Sequence, residues 1–169
     1  MVQAGSVCEW KFDGERYSAY EQVTYRSLPK LSDDRMCFGC GGKNAAGLRL
    51  SFTVDEKKKV IECRWTPAKE HQGYADIVHG GMIGLVLDEL MGNLLWRTGF
   101  PSVTGEMTVR FLRPAKVGLP LDCKAHIKSR KGRIFQMEAT AADSQGRPVA
   151  RAAGKFFNVQ RPHPSTGSG

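Results

Sequence analysis

The chain has 169 residues, 41% hydrophobic and 25% charged, which fits one folded domain with a sizeable core and excludes a disordered polymer. Its 25 Lys and Arg outnumber 17 Asp and Glu, and the net charge of +8 suits an anionic partner. The basic residues are dispersed and no helix-turn-helix or RNA-stacking signature occurs, so a phosphate-bearing small molecule is expected in place of nucleic acid.

The five cysteines (Cys8, Cys37, Cys40, Cys63 and Cys123) are an odd number, and the first residues lack a basic segment followed by an apolar run. Reduced thiols in a cytoplasm are the simplest reading. Residues 1–36 are polar and weakly patterned, with a short helix hinted at by Tyr17, Tyr20 and Val23. They read as an extension packed on a domain spanning 37–158, with a disordered tail at 159–169.

Cys37-Phe38-Gly39-Cys40-Gly41-Gly42 opens the domain. A CxxC is half of a zinc signature, and Cys63, Cys123 and His71 are the spare ligands for the other half. None of these forms a second close pair, so a glycine-rich turn with small buried side chains is preferred over a metal site or a redox pair. Leu48, Leu50, Phe52 and Val54 alternate with polar residues as a half-buried strand, and Ile61, Cys63 and Trp65 alternate on its return. After the central segment, Val103, Met107, Val109 and Phe111 alternate with Thr104, Glu106, Thr108 and Arg110. Three more strands follow, around Leu121–Ile127, Phe135–Ala141 and Val149–Phe157. The order β-β-α-β-β-β-β predicts an α+β domain of five to six strands, the last four read as a meander, wrapped around one long helix.

That helix is the run from Gly81 to Thr98, apolar on nearly every side from Met82 to Trp96 and therefore buried. It is too short and too charged to insert into a membrane. Met82, Leu85 and Trp96 are expected in the core. Two carboxylates, Asp88 and Glu89, stand in its middle, about 100° apart, so only one can face a site. A buried carboxylate is costly without a partner, so this pair needs a reason. At the helix start His79-Gly80-Gly81 leaves backbone N–H groups pointing outward. A donor-rich terminus and a mid-helix carboxylate are two parts of an acyl-transfer site. Gly81 and Asp88 face the same way but lie about 10 Å apart along the axis, too far to serve one carbonyl. Two helices related by a two-fold axis bring the parts together, which predicts a homodimer with its site at the seam.

The His79-Gly80-Gly81 start, Asp88-Glu89 nine residues on and the segment Thr104–Gly118 together resemble the hotdog-fold acyl-CoA thioesterases, particularly the phenylacetyl-CoA thioesterase-like branch. Cys37–Gly41 with Asn44 and Gly47-Leu48 is similar to the start of many uncharacterised members. The resemblance implies a hotdog fold, a homodimer that can pair further into a dimer of dimers, and hydrolysis of an acyl-CoA thioester. Coenzyme A is then part of the substrate, and neither a metal nor another cofactor is required. Carried over, Gly80 and Gly81 are the oxyanion donors and Asp88 of the partner subunit is general base or nucleophile. Thr104 matches a water-orienting hydroxyl. Relatives often carry Asn or Gln where Gly73 stands, a place Gln72 or His71 can take. His79 lines the site or fixes the loop. Arg110, Arg113, Lys116, Lys131 and Arg133 either cradle the coenzyme A phosphates or are solvated. A hydratase or dehydratase using His79 with Asp88, and a non-catalytic acyl-CoA binder, are the alternatives.

Overall fold

The computed structural model describes residues 31–159. The helix expected around Tyr17 and the tail from residue 160 onward lie outside the described residues. Val159, assigned to the tail from sequence, donates its N–H to Pro101 O at 2.9 Å.

The strands are β1 Thr53–Asp55, β2 Val60–Trp65, β3 Gln72–Tyr74, β4 Ile77–Val78, β5 Ser102–Phe111, β6 Leu121–Lys131, β7 Ile134–Ala142 and β8 Pro148–Asn158, and the helix α1 is Gly80–Arg97. Six strands form one antiparallel sheet in the order β1-β2-β6-β7-β8-β5, and β3-β4 is a separate short hairpin. Helix α1 lies against β2, β5, β6, β7 and β8. The expected sheet-and-helix architecture is therefore present, with two differences.

The last four strands are not one meander. β6, β7 and β8 are joined by short turns, but nine residues, 112–120, separate β5 from β6. That length exceeds a tight hairpin and lets β5 pair with β8 at the sheet edge, while β2 takes the place beside β6. The first strand is also shorter than its alternation predicts. Leu48 N–H and Leu50 N–H donate to Phe38 O and Gly39 O at 2.8 and 2.9 Å, so this stretch pairs with the CxxC turn and reaches β2 only from Thr53.

Helix α1 begins at an N-cap, His79, whose Nδ1 accepts from Gly81 N–H. It ends in a Schellman arrangement: Gly99, at φ +84°, donates to Trp96 O, and Phe100 N–H donates to Leu95 O. Only glycine reaches that φ without strain, which explains the stop at Gly99-Phe100-Pro101. Ile83, Val86, Leu87, Leu90, Met91, Leu94 and Leu95 are buried with Phe135, Met137 and Phe156 of the sheet. Trp96 is 40% exposed, against the core position expected for it, because it stands on the side of the last turn that looks into a cavity.

One irregularity in β5 positions the site. Thr104 opposes Phe156 and Glu106 opposes Lys155, so Gly105 is an extra residue, a β-bulge. Met107 and Val109 pack on the core, and strict alternation would put Thr104 on the outer face. The bulge shifts the phase and turns Ser102 and Thr104 toward the helix side. A Cβ at Gly105 would fall on the Phe157 ring. Gly105→Ala is expected to lower stability by about 1–3 kcal/mol through this overpacking. Denaturant unfolding at fixed pH checks it; an unchanged midpoint would show that the bulge has room for a side chain.

Candidate active site

Asp88 lies where α1 passes the bulge, and Thr104 Oγ1 donates to its Oδ1 at 2.8 Å. The carboxyl is half-buried. Burial raises its pKa above the ordinary carboxylate range, the Thr104 hydroxyl pulls it back in part, and the charge of Glu89 raises it further. Thr104, Asp88, Ser102, Gly92, Trp96 and Phe156 line a cavity of about 380 Å³. A carboxylate held by one neutral hydroxyl at the wall of an open cavity can take a proton from water or attack a carbon itself.

Glu89 lines the same cavity from the other side, so both carboxylates reach it, contrary to the expectation that only one would. Glu89 Oε1 accepts from Asn93 Nδ2 at 2.7 Å, and the Cys37 thiol donates to Glu89 Oε2 at 3.3 Å. Burial, followed by Glu89, pushes the Cys40 thiol up to about 12. Cys37 is exposed, whereas small buried side chains were expected for this turn. Cys63 and Cys123, two of the spare ligands considered from sequence, instead oppose each other on β2 and β6 as free thiols. Among the described residues no helix is long and apolar enough to cross a membrane.

The helix N-terminus opens into a separate cavity of about 480 Å³, lined by Gly73, Tyr74, His79, Gly80, Phe111 and Arg113 among others. The two cavities share no residue. Gly81 N–H is already donated to His79 Nδ1 at 2.9 Å. Gly80 N–H meets no acceptor among the described residues and is the donor left open. Gln72 is turned away, its Oε1 accepting from Asp76 N–H at 3.3 Å, and His71 Nδ1 accepts from Ala68 N–H at 2.9 Å. Gly73 packs so closely on His79 that a Cβ there would lie 3.2 Å from its Cα.

The candidate basic residues fall into two groups. Arg113, which donates to Pro148 O at 2.6 Å, lines the Gly80 cavity. Lys116 bridges through its backbone to Ile77, and Arg110 stands on β5 opposite Arg151, near His126 and Thr140 on the other face of the sheet. Lys131 and Arg133 sit at the β6–β7 turn, where Arg133 Nε donates to Asn158 O, close to where β5 starts after the helix C-terminus. One chain does not gather the five around one cavity. Sequence reasoning missed Ser102, Asn93 and Phe156. Asn93 was findable, four residues after Glu89 on one helix face, whereas Ser102 depends on the bulge.

Residues 75–150 match the family model of the thioesterase superfamily. No curated protein sequence matches the chain. The fold is shared with the thioesterase superfamily protein RHA08564 at 23% identity and TM-score 0.68, covering 73% of this chain and 60% of that one. The chain thus spans less than two thirds of that relative's length. A hypothetical thioesterase protein from Streptococcus pneumoniae, solved with coenzyme A, aligns at 18% identity over 64% of this chain and 85% of its own, TM-score 0.59. Its structures include an Asp-to-Ala and a Thr-to-Ala variant at positions sixteen residues apart. The PaaI protein of the E. coli phenylacetic acid degradation operon aligns at 19% identity over 67% of this chain and 81% of its own, TM-score 0.62. The chain thus has the hotdog fold that these structures share, and its segment 75–150, which carries the central helix and most of the sheet, is similar to the thioesterase superfamily.

Proposed function

We propose that the protein hydrolyses an acyl-CoA thioester at a site completed by two subunits, releasing the free acid and coenzyme A. The observation that carries this reading is the separation of an open Gly80 amide and a Thr104-held Asp88 into two cavities of one chain. Gly80 and Asp88 are eight residues apart, about 12 Å along the helix, so each half needs a partner's other half. β5 is one edge of the sheet among the described residues, and Phe111, Leu112, Tyr74 and Ile77 beside the Gly80 cavity are exposed. A ten-residue edge strand with exposed apolar neighbours favours edge-to-edge pairing of two copies. Sixteen residues also separate Asp88 from Thr104, the interval between the two substituted positions in the pneumococcal thioesterase.

In this reading the thioester carbonyl oxygen rests on Gly80 N–H of one subunit, whose helix N-terminus stabilises the charge that develops on it. Gly81 serves indirectly: its N–H on His79 Nδ1 fixes the imidazole and leaves the Gly80 amide pointing outward. Asp88 of the other subunit activates water or adds to the carbonyl carbon, and Thr104 fixes the rotamer of its carboxylate. Trp96 offers apolar surface for the acyl group, and Arg113 by Gly80 offers charge to the phosphates of coenzyme A. A cytoplasmic protein is consistent with the free thiols.

Asp88→Asn is expected to cut hydrolysis of acyl-CoA by about 10²–10⁴-fold, the usual worth of a positioned base. It should not unfold the protein. Because the folded pKa is raised, stability is lost as pH rises from the unfolded carboxylate pKa through the folded one, and a neutral amide avoids that loss. The variant's melting temperature at pH 7 should therefore equal or exceed wild type. Wild-type turnover by the pure variant would end this assignment.

Thr104→Val removes the one hydrogen bond that lowers the Asp88 pKa, so the acidic limb of the kcat/KM profile should move to higher pH. An unmoved limb would mean that another group titrates. Gly80→Pro deletes the donor at a helix position that accepts proline, and is expected to cost about 10²–10³-fold, with Gly80→Ala as the control that keeps the N–H. Mixing Asp88→Asn with Gly80→Pro subunits should restore about a quarter of wild-type activity, because half the dimers are mixed and each has one intact site. No recovery after confirmed subunit exchange would place both groups in one chain's site.

A further inference from the structure

We propose that Cys37, Cys40 and Glu89 form a binding site for one zinc-like divalent cation, clamping the CxxCG turn onto the central helix. One ligand atom from each lies within 4.8 Å of the other two. Cys37 Sγ is 3.4 and 3.3 Å from the two Glu89 oxygens. In a tetrahedral zinc site with a sulfur and an oxygen ligand, those two atoms lie about 3.5 Å apart, so this edge is already at its bound length.

The chain around the cluster is built to hold it. Gly41 N–H donates to Cys37 O at 2.8 Å, closing the turn that brings the two thiols to one side. A Cβ at Gly39 would lie 2.5 Å from Glu89 Cδ, so the absence of a side chain there is what lets the carboxylate enter. Asn93 Nδ2 orients Glu89 through Oε1 at 2.7 Å and lies 3.7 Å from Cys40 Sγ, the kind of outer partner that fixes a ligand. Leu48 and Leu50 N–H groups tie the turn to the start of the sheet. All three ligands line the cavity that holds Asp88, so the fourth position is open to it and takes water.

Two thiolates and a borderline oxygen ligand select zinc, or cobalt in its place, over magnesium or calcium. Binding releases the two thiol protons to solvent and leaves three negative ligands around a doubly positive ion. The third ligand comes from the helix 52 residues after Cys37, which is why a CxxC with no second close pair looked incomplete.

The test is titration of the full-length, reduced and chelator-stripped protein with Co²⁺, followed by displacement with Zn²⁺. One equivalent of cobalt should produce thiolate-to-metal charge-transfer absorption and tetrahedral ligand-field bands, both abolished by zinc. Glu89→Gln should weaken binding by about 100-fold or more, since even outer partners of a ligand are worth about 10–100-fold. The Cys37→Ser/Cys40→Ser double variant should lose the absorption while keeping its far-ultraviolet circular dichroism. Cys8→Ser and Cys63→Ala/Cys123→Ala should keep the absorption. No cobalt absorption in the wild type, or absorption retained in the Cys37→Ser/Cys40→Ser protein, would overturn the proposal. Unweakened binding by Glu89→Gln would do the same, as would isolation of Cys37 and Cys40 as a disulfide under these reducing conditions.

Discussion

A carboxylate on a buried helix, held by a single neutral hydroxyl, is the constraint around which the site is arranged. Asp88 has burial raising its pKa, a second carboxylate next to it in sequence, and no cation paired with it in the described residues. A stability-driven core would place an apolar residue there. The protein accepts the cost and limits it with one hydrogen bond from Thr104, enough to fix a rotamer without quenching basicity. That hydroxyl reaches the helix only because Gly105 breaks the alternation of β5. A single backbone irregularity thereby decides which face of an edge strand carries chemistry.

The helix and most of the sheet were legible in sequence. An uninterrupted apolar run ended by Gly99 reads as a buried helix, and the alternation around Cys123, Met137 and Phe157 reads as strands. Strand order was not legible, because alternation says which face a residue takes and nothing about its neighbour across the ladder. The nine-residue connection at 112–120 was the available clue that β5 and β6 do not form a hairpin. Thr104 was found by likeness to known proteins, although its alternation pointed to the wrong face. A bulge leaves almost no mark on sequence beyond a glycine in a strand.

The helix start shows the same limit in finer detail. His79-Gly80-Gly81 reads as two equivalent amides, and only coordinates reveal that His79 Nδ1 takes the Gly81 proton. The imidazole therefore works as a cap. It stabilises the helix, orients the terminus and leaves one donor free where sequence suggested two. This matters for specificity of role: a His beside a candidate oxyanion site invites assignment as a proton carrier, yet one of its nitrogens is already committed to backbone.

Asp88 and Glu89 also show how adjacent acids on one helix divide their surroundings. Turned about 100° from each other, one meets a strand hydroxyl and the other meets an amide and two thiols across the same cavity. Among the described residues neither environment supplies a fixed Lys or Arg, and the Glu89 charge lifts the proton affinity of Asp88. A cation drawn to the thiols and Glu89 would relieve the repulsion from one side while leaving the Thr104-held carboxylate basic. The cavity thus has a reason to keep two acids apart by chemistry of ligands, soft sulfur around one and a hydroxyl beside the other, when adjacent positions on one helix cannot keep them apart by distance.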